Sequence, residues 1–166
     1  MADISDKKPC PGCGATFVPE EGAVHAYMTS SPACWAAFGR VLAAEYEDVR
    51  LMPVHRMSVD AFAVQHPGDP DDRRAVQSVG LHLARIKVTL EDGLDWQEAN
   101  AAMQRFAARK AELPRLDPPP SFSLTVADVE PVAGTEGHED AVRAWVQAAW
   151  DDHAAHHDFI RRWTAQ

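Results

Sequence analysis

Every cysteine of the chain lies in one stretch, CPGCGATFVPEEGAVHAYMTSSPAC, as Cys10, Cys13 and Cys34. Two thiols separated by Pro11-Gly12 and followed by Gly14 have the makings of a zinc knuckle. Such a pair clasps one ion while its turn aims backbone amides at the sulfurs, and glycine permits that turn. Cys34 supplies a third soft donor from the first turn of the next predicted helix, where the helix N-terminus favours a thiolate. His25 is the fourth ligand this spacing favours, giving Cys-x2-Cys-x11-His-x8-Cys, with a more distant histidine or an open position as the alternative. Three thiolates and one imidazole suit tetrahedral Zn2+, and a shell filled by four protein ligands leaves no position for water or substrate. The zinc expected here is therefore structural. The competing reading makes Cys10 and Cys13 a redox pair and Cys34 a core residue. A thioredoxin-like pair follows a strand in a βαβ unit, and that context is missing.

The second group with chemical potential is histidine, of which the chain has 8. A long amphipathic helix is predicted from about His138 to Trp163. Its apolar stripe comprises Val142, Trp145, Val146, Ala149, Ile160 and Trp163. His153, His156 and His157 fall in the same stripe at i, i+3 and i+4, so a pair can grip one ion from one helical face. His55, Asp60, His66 and His82 lie on earlier helices. If a bundle brings them against the C-terminal histidines, a second divalent metal site or a general acid–base site results. The plainer reading is that each histidine is a satisfied core or boundary residue, as for His82. His138 is expected to be exposed at the start of its helix. No residue is assigned a catalytic role. A glycine-rich phosphate loop, a G-x-S-x-G elbow and an H-E-x-x-H pair are all absent from the sequence.

The elements that must position these groups read as helices divided by punctuated loops. Ser31-Pro32 is an N-cap followed by a first-turn proline, ahead of Trp35, Phe38, Gly39, Leu42 and Tyr46 on one face. Ser58 is predicted to cap a short helix with Val59, Phe62, Ala63 and His66 on its apolar face, stopped by Pro67-Gly68. Asp71 or Asp72 starts the next, whose stripe is Val76, Val79, Leu83, Ile86 and Leu90, with Gly93 as its stop. Asp95 and Glu98 form an acidic capping box before Trp96, Ala99, Met103 and Phe106. LPRLDPPPSF cannot continue a helix and reads as a stiff connector. SLTVADVEPVAG holds a turn of helix or an edge strand. The tryptophans and methionines sit on helix stripes and are expected in the core.

The fold class expected is therefore mainly α, a bundle of about five helices with a small N-terminal zinc-knuckle segment. Within one domain, residues 1–34 form the knuckle segment and 35–112 the helical core. Residues 113–137 form the proline-rich connector, and 138–166 the C-terminal helix packing on the core. The formal net charge of −9 opposes binding to phosphate backbones or anionic lipid, so neither nucleic acid nor membrane is an expected partner. A small-molecule or protein partner is not specified by the sequence. MADISDKKP is polar and lacks the apolar centre of an export signal, so a cytoplasmic protein with reduced thiols is expected.

CPGCG, HAYMTSSPACWAAFG, VHRMSVDAFAVQHPG, QSVGLHLARI and VRAWVQAAWDDHAAHHDFIRRW, in this order from Cys10 to Trp163, resemble the blocks of a bacterial domain-of-unknown-function family. The resemblance implies a small zinc-knuckle protein and implies no reaction. Three functional classes thus remain. The first is a zinc-binding cytoplasmic protein whose zinc is structural. The second is a metal-dependent hydrolase or transferase-like enzyme using a histidine-lined site. The third is an adaptor for a protein partner.

Overall fold

A computed structural model describes residues 6–166, so the first five residues of the polar N-terminus lie outside the described residues. Lys8–Pro9 (β1) and Thr16–Phe17 (β2) pair antiparallel, Lys8 opposite Phe17 and Pro9 opposite Thr16. This hairpin holds the CPGCG turn. All else in regular structure is helical: α1 Pro32–Glu47, α2 Met52–Gln65, α3 Arg73–Leu90, α4 Trp96–Ala108, α5 Val126–Val129, α6 His138–Asp152 and α7 His157–Thr164. The fold is mainly α, and the helices outnumber the expected five.

Local chemistry sets most of the starts. Ser31 accepts a hydrogen bond from the Cys34 amide at 3.2 Å and Asp72 one from Arg74 at 2.9 Å. Asp95 and Glu98 complete the capping box of α4. Thr125 and Asp128 form another and settle the undecided SLTVADVE stretch as the single turn of α5. Each box satisfies amides that have no partner inside the helix.

Four expectations need correction. Ser58 is not a cap: α2 starts at Met52, with Pro53 in its first turn, and Ser58 lies buried in its interior. The inner face of α1 is Ala33, Cys34, Ala37, Phe38, Val41 and Glu45, which turns Tyr46 outward. Trp96 is 51% exposed and not a core residue. The predicted C-terminal helix is two, because α6 stops at His153 and a 3-10 turn at Ala154–His156 precedes α7. That break changes the period from 3.6 to 3.0 residues per turn, so the histidines no longer share one stripe with Ile160 and Trp163.

One apolar core runs through these helices. α2 packs against α3 and α6, α3 against α4 and α7, and α1 against α2 and α5. Trp145 is fully buried at its centre, and its indole donates to Gln65 Oε1 at 3.0 Å. Gln65 in turn donates to the Leu124 carbonyl at 2.7 Å, so the end of α2 is tied to α6 and to the loop before α5. His66 follows directly.

Candidate metal centre

Cys10, Cys13, Cys34 and His66 each direct one donor atom to a common point, all four atoms lying within 4.8 Å of one another. Three separate pieces of chain supply them. The hairpin gives Cys10 and Cys13, the first turn of α1 gives Cys34, and the residue that ends α2 gives His66. All four are at most 5% exposed. The fourth donor atom beside the three sulfurs is thus that of His66, where the spacing favours His25. His25 is half-buried outside the cluster: its Nδ1 accepts from the Tyr27 amide at 3.3 Å, and its ring meets Tyr27 and Trp35 edge-on. Burial, helped by the charge of Arg74, holds the His25 imidazole below its ordinary value.

The turn that presents the thiols is built from glycine. Gly14, at φ +78°, closes it in the left-handed region and donates to the Cys10 carbonyl at 2.9 Å. Gly12 has no room for a side chain, since a methyl there would strike the Thr29 carbonyl and the His66 ring. The Ser31 amide points at Cys10 Sγ, 3.4 Å away. Ser31 therefore caps α1 with its hydroxyl and supports a ligand with its backbone.

His66 is fixed on both sides. Its Nδ1 donates to the Phe62 carbonyl at 2.6 Å, which leaves the Nε2 lone pair facing the sulfurs, 3.3 Å from Cys34 Sγ. A backbone acceptor on the remote nitrogen is the usual way a protein sets the tautomer of a ligating imidazole. The ring stacks on Phe62 with centroids 3.8 Å apart, and Phe62 stacks on Phe38 at 4.0 Å.

These separations fit a tetrahedral ion. Zn–S bonds of about 2.3 Å and Zn–N bonds of about 2.0–2.1 Å place neighbouring sulfurs about 3.8 Å apart and sulfur and nitrogen about 3.6 Å apart. Cys13 and Cys34 sulfurs are 3.8 Å apart, well beyond a disulfide bond. Without a cation the thiols cannot ionise together. Hydrogen bonds from Cys13 and Cys34 hold Cys10 far below the usual thiol range. The contact with Cys10 pushes Cys13 up to about 12 against the bond with Cys34, and contacts with Cys10 and Cys13 drive Cys34 upward.

The other proposed ligands do not converge. His55 Nδ1 bonds Glu45 Oε2 at 2.7 Å, and Asp60 holds His82 at 2.7 Å and Arg85 at 3.2 Å. His153, His156 and His157 bond the backbone carbonyls of Ala149, Asp117 and Trp150 at 2.7, 2.7 and 2.8 Å. His157 also lies flat on Trp150, 3.9 Å away. Among the described residues, the three cysteines and His66 are the one group of His, Cys, Asp and Glu compact enough to hold an ion. The expected exposure of His138 is also corrected. It is fully buried, accepts from the Gly134 amide at Nδ1, and so donates from Nε2 to Glu45 Oε1 at 3.1 Å.

Sequence reasoning assigned His66 to a separate second site and passed over Glu45. His66 carried a signal, since VQHPG places it at a helix end on the face of Phe62. Glu45 carried none, because its partners His55, Ser58 and His138 are distant in the chain.

No curated protein and no solved structure matches the chain. The profile of a family of unknown function (DUF5946) matches residues 8–164, from the first strand of the hairpin to the last residue of α7. The match takes in all four residues of the cysteine–histidine cluster, and the chain belongs to that family.

Proposed function

We propose that Cys10, Cys13, Cys34 and His66 bind one Zn2+ and that the ion is a structural cross-link. The observation that carries this reading is the meeting of four buried donor atoms from three chain segments within 4.8 Å. Three soft sulfurs and one imidazole favour zinc over hard-ligand ions, and four protein ligands close the coordination shell. The hairpin is too short to stand alone, since two strands of two residues bury almost nothing. Zinc holds it against α1 and α2. Reduced cysteines in such a site suit a cytoplasmic setting. The net charge of −9 argues against bare nucleic acid or an anionic membrane as partner. Among the described residues, no helix is long and apolar enough to cross a membrane.

The test is the metal content of protein purified without chelators, followed by thermal melting before and after a strong chelator. One zinc per chain is expected, with a lower melting temperature on its removal and recovery on its return. Less than half an equivalent of zinc, or a melt indifferent to its removal, contradicts the reading.

A further inference from the structure

In an acidic chain, three arginines from three helices line one cavity of about 250 Å³: Arg56 of α2, Arg85 of α3 and Arg143 of α6. Trp96, the first residue of α4, forms part of its wall and is half exposed. The cavity is separate from the metal centre and shares no residue with it.

The charges inside are unevenly matched. Arg85 is buried, bonded to Asp60 at 3.2 Å and to Asn100 Oδ1 at 2.7 Å. Asp60 is the one buried carboxylate of the wall, and it is already divided between Arg85 and His82. Asp95 also lines the cavity, but its Oδ1 accepts the amides of Gln97 and Glu98 as the cap of α4. Arg143 pairs with Glu139 in solvent, where such a pair is weak. Arg56 forms no ion pair among the described residues, yet it lies close enough to Arg85 for their like charges to act on each other. Burial of Arg85 lowers its affinity for its proton, Asp60 opposes that, and Arg56 adds to it. Arg56 and Arg85 line the cavity with one buried carboxylate that is already engaged, so a further anion would be stabilised there.

We propose that this cavity binds a small oxyanion, a carboxylate or a phosphate monoester, carried on a flat apolar body. Guanidiniums present forked donors that match the paired oxygens of either group. Trp96 offers an indole face at the wall, and Met57 and Leu94 supply apolar contact beside it. The volume is below that of common drug-sized sites, which limits the body to about one ring.

The test is titration of the zinc-loaded protein with phenyl phosphate and with benzoate, followed by tryptophan fluorescence, with phenol as the neutral control. Saturable change is expected with at least one of the two anions and not with phenol. The tighter of the two identifies the oxyanion. Arg56→Ala should weaken it roughly tenfold or more, the loss of one charged hydrogen bond. Arg56 is exposed and unpaired, so that variant should melt like the wild type. Arg161→Ala, which removes a surface arginine paired with Glu91, should change nothing. Trp96→Phe should remove the fluorescence response. No saturation by either anion up to about 10 mM overturns the proposal, as does equal binding by Arg56→Ala or a response that survives Trp96→Phe.

Discussion

His66 and His25 both sit near the same aromatic group, and only one has a nitrogen aimed at the sulfurs. Phe62 fixes the His66 tautomer through Nδ1, whereas the His25 Nδ1 is already occupied by the Tyr27 amide. His66→Ala is therefore expected to leave less than half an equivalent of zinc after dialysis, while His25→Ala keeps a full equivalent; elemental analysis of the two variants decides it. Gly12 belongs to the same scale. A methyl group between Thr29 and the His66 ring forces the knuckle away from α2. Gly12→Ala should cost about 1–3 kcal/mol, the usual penalty of overpacking, read from denaturant melts of the zinc-loaded protein. The cysteines were legible as one candidate cluster because a CxxC outside a βαβ context points to a metal clamp. His66 was harder to read, since a histidine on an apolar face resembles an ordinary core residue until the chain is folded.

At the scale of elements, the starts of α1, α3 and α4 were legible because Ser31, Asp72 and Asp95 act through neighbours within three residues. What depends on distant contact was not. Glu45 shows why: α1 provides the carboxylate, α2 provides His55 and Ser58, and α6 provides His138. The carboxylate is completely buried, and its hydrogen bonds tie three helices together. Removing one side of such a network leaves the others unsatisfied, so His138→Ala or Glu45→Ala should destabilise the fold by about 3–5 kcal/mol. Asp48→Ala, which breaks a surface pair with Arg50, should cost far less by the same melts. Comparable losses for Glu45 and Asp48 would show that the network contributes nothing beyond surface pairing. The break between α6 and α7 was likewise hidden, because the hydrophobic stripe of a continuous helix fits the same residues until the 3-10 turn at Ala154–His156 is seen.

Over the whole molecule, stability should depend on pH and on the metal in separable ways. His153 is buried, and burial lowers its imidazole below the ordinary value; the Ala149 carbonyl and Asp152 oppose that, while His156 and His157 add to it. The unfolded chain therefore takes up a proton near pH 6.5 that the folded chain refuses, so this contribution is complete above about pH 6.5 and is lost as the pH falls below it. Replacing the histidine by a residue that does not titrate, as in His153→Gln, should flatten the acid limb of the stability curve below about pH 6.5 relative to the wild type, and an unchanged limb would refute the assignment. The proposed zinc cross-link would act on the hairpin instead, whose two strands are only two residues each. X-ray absorption at the zinc edge of the purified protein tests the central claim most directly. The account predicts three sulfur neighbours at about 2.3 Å and one nitrogen at about 2.0–2.1 Å, unchanged in His25→Ala. A shell of nitrogen and oxygen alone, or one that loses its nitrogen in His25→Ala, would contradict it.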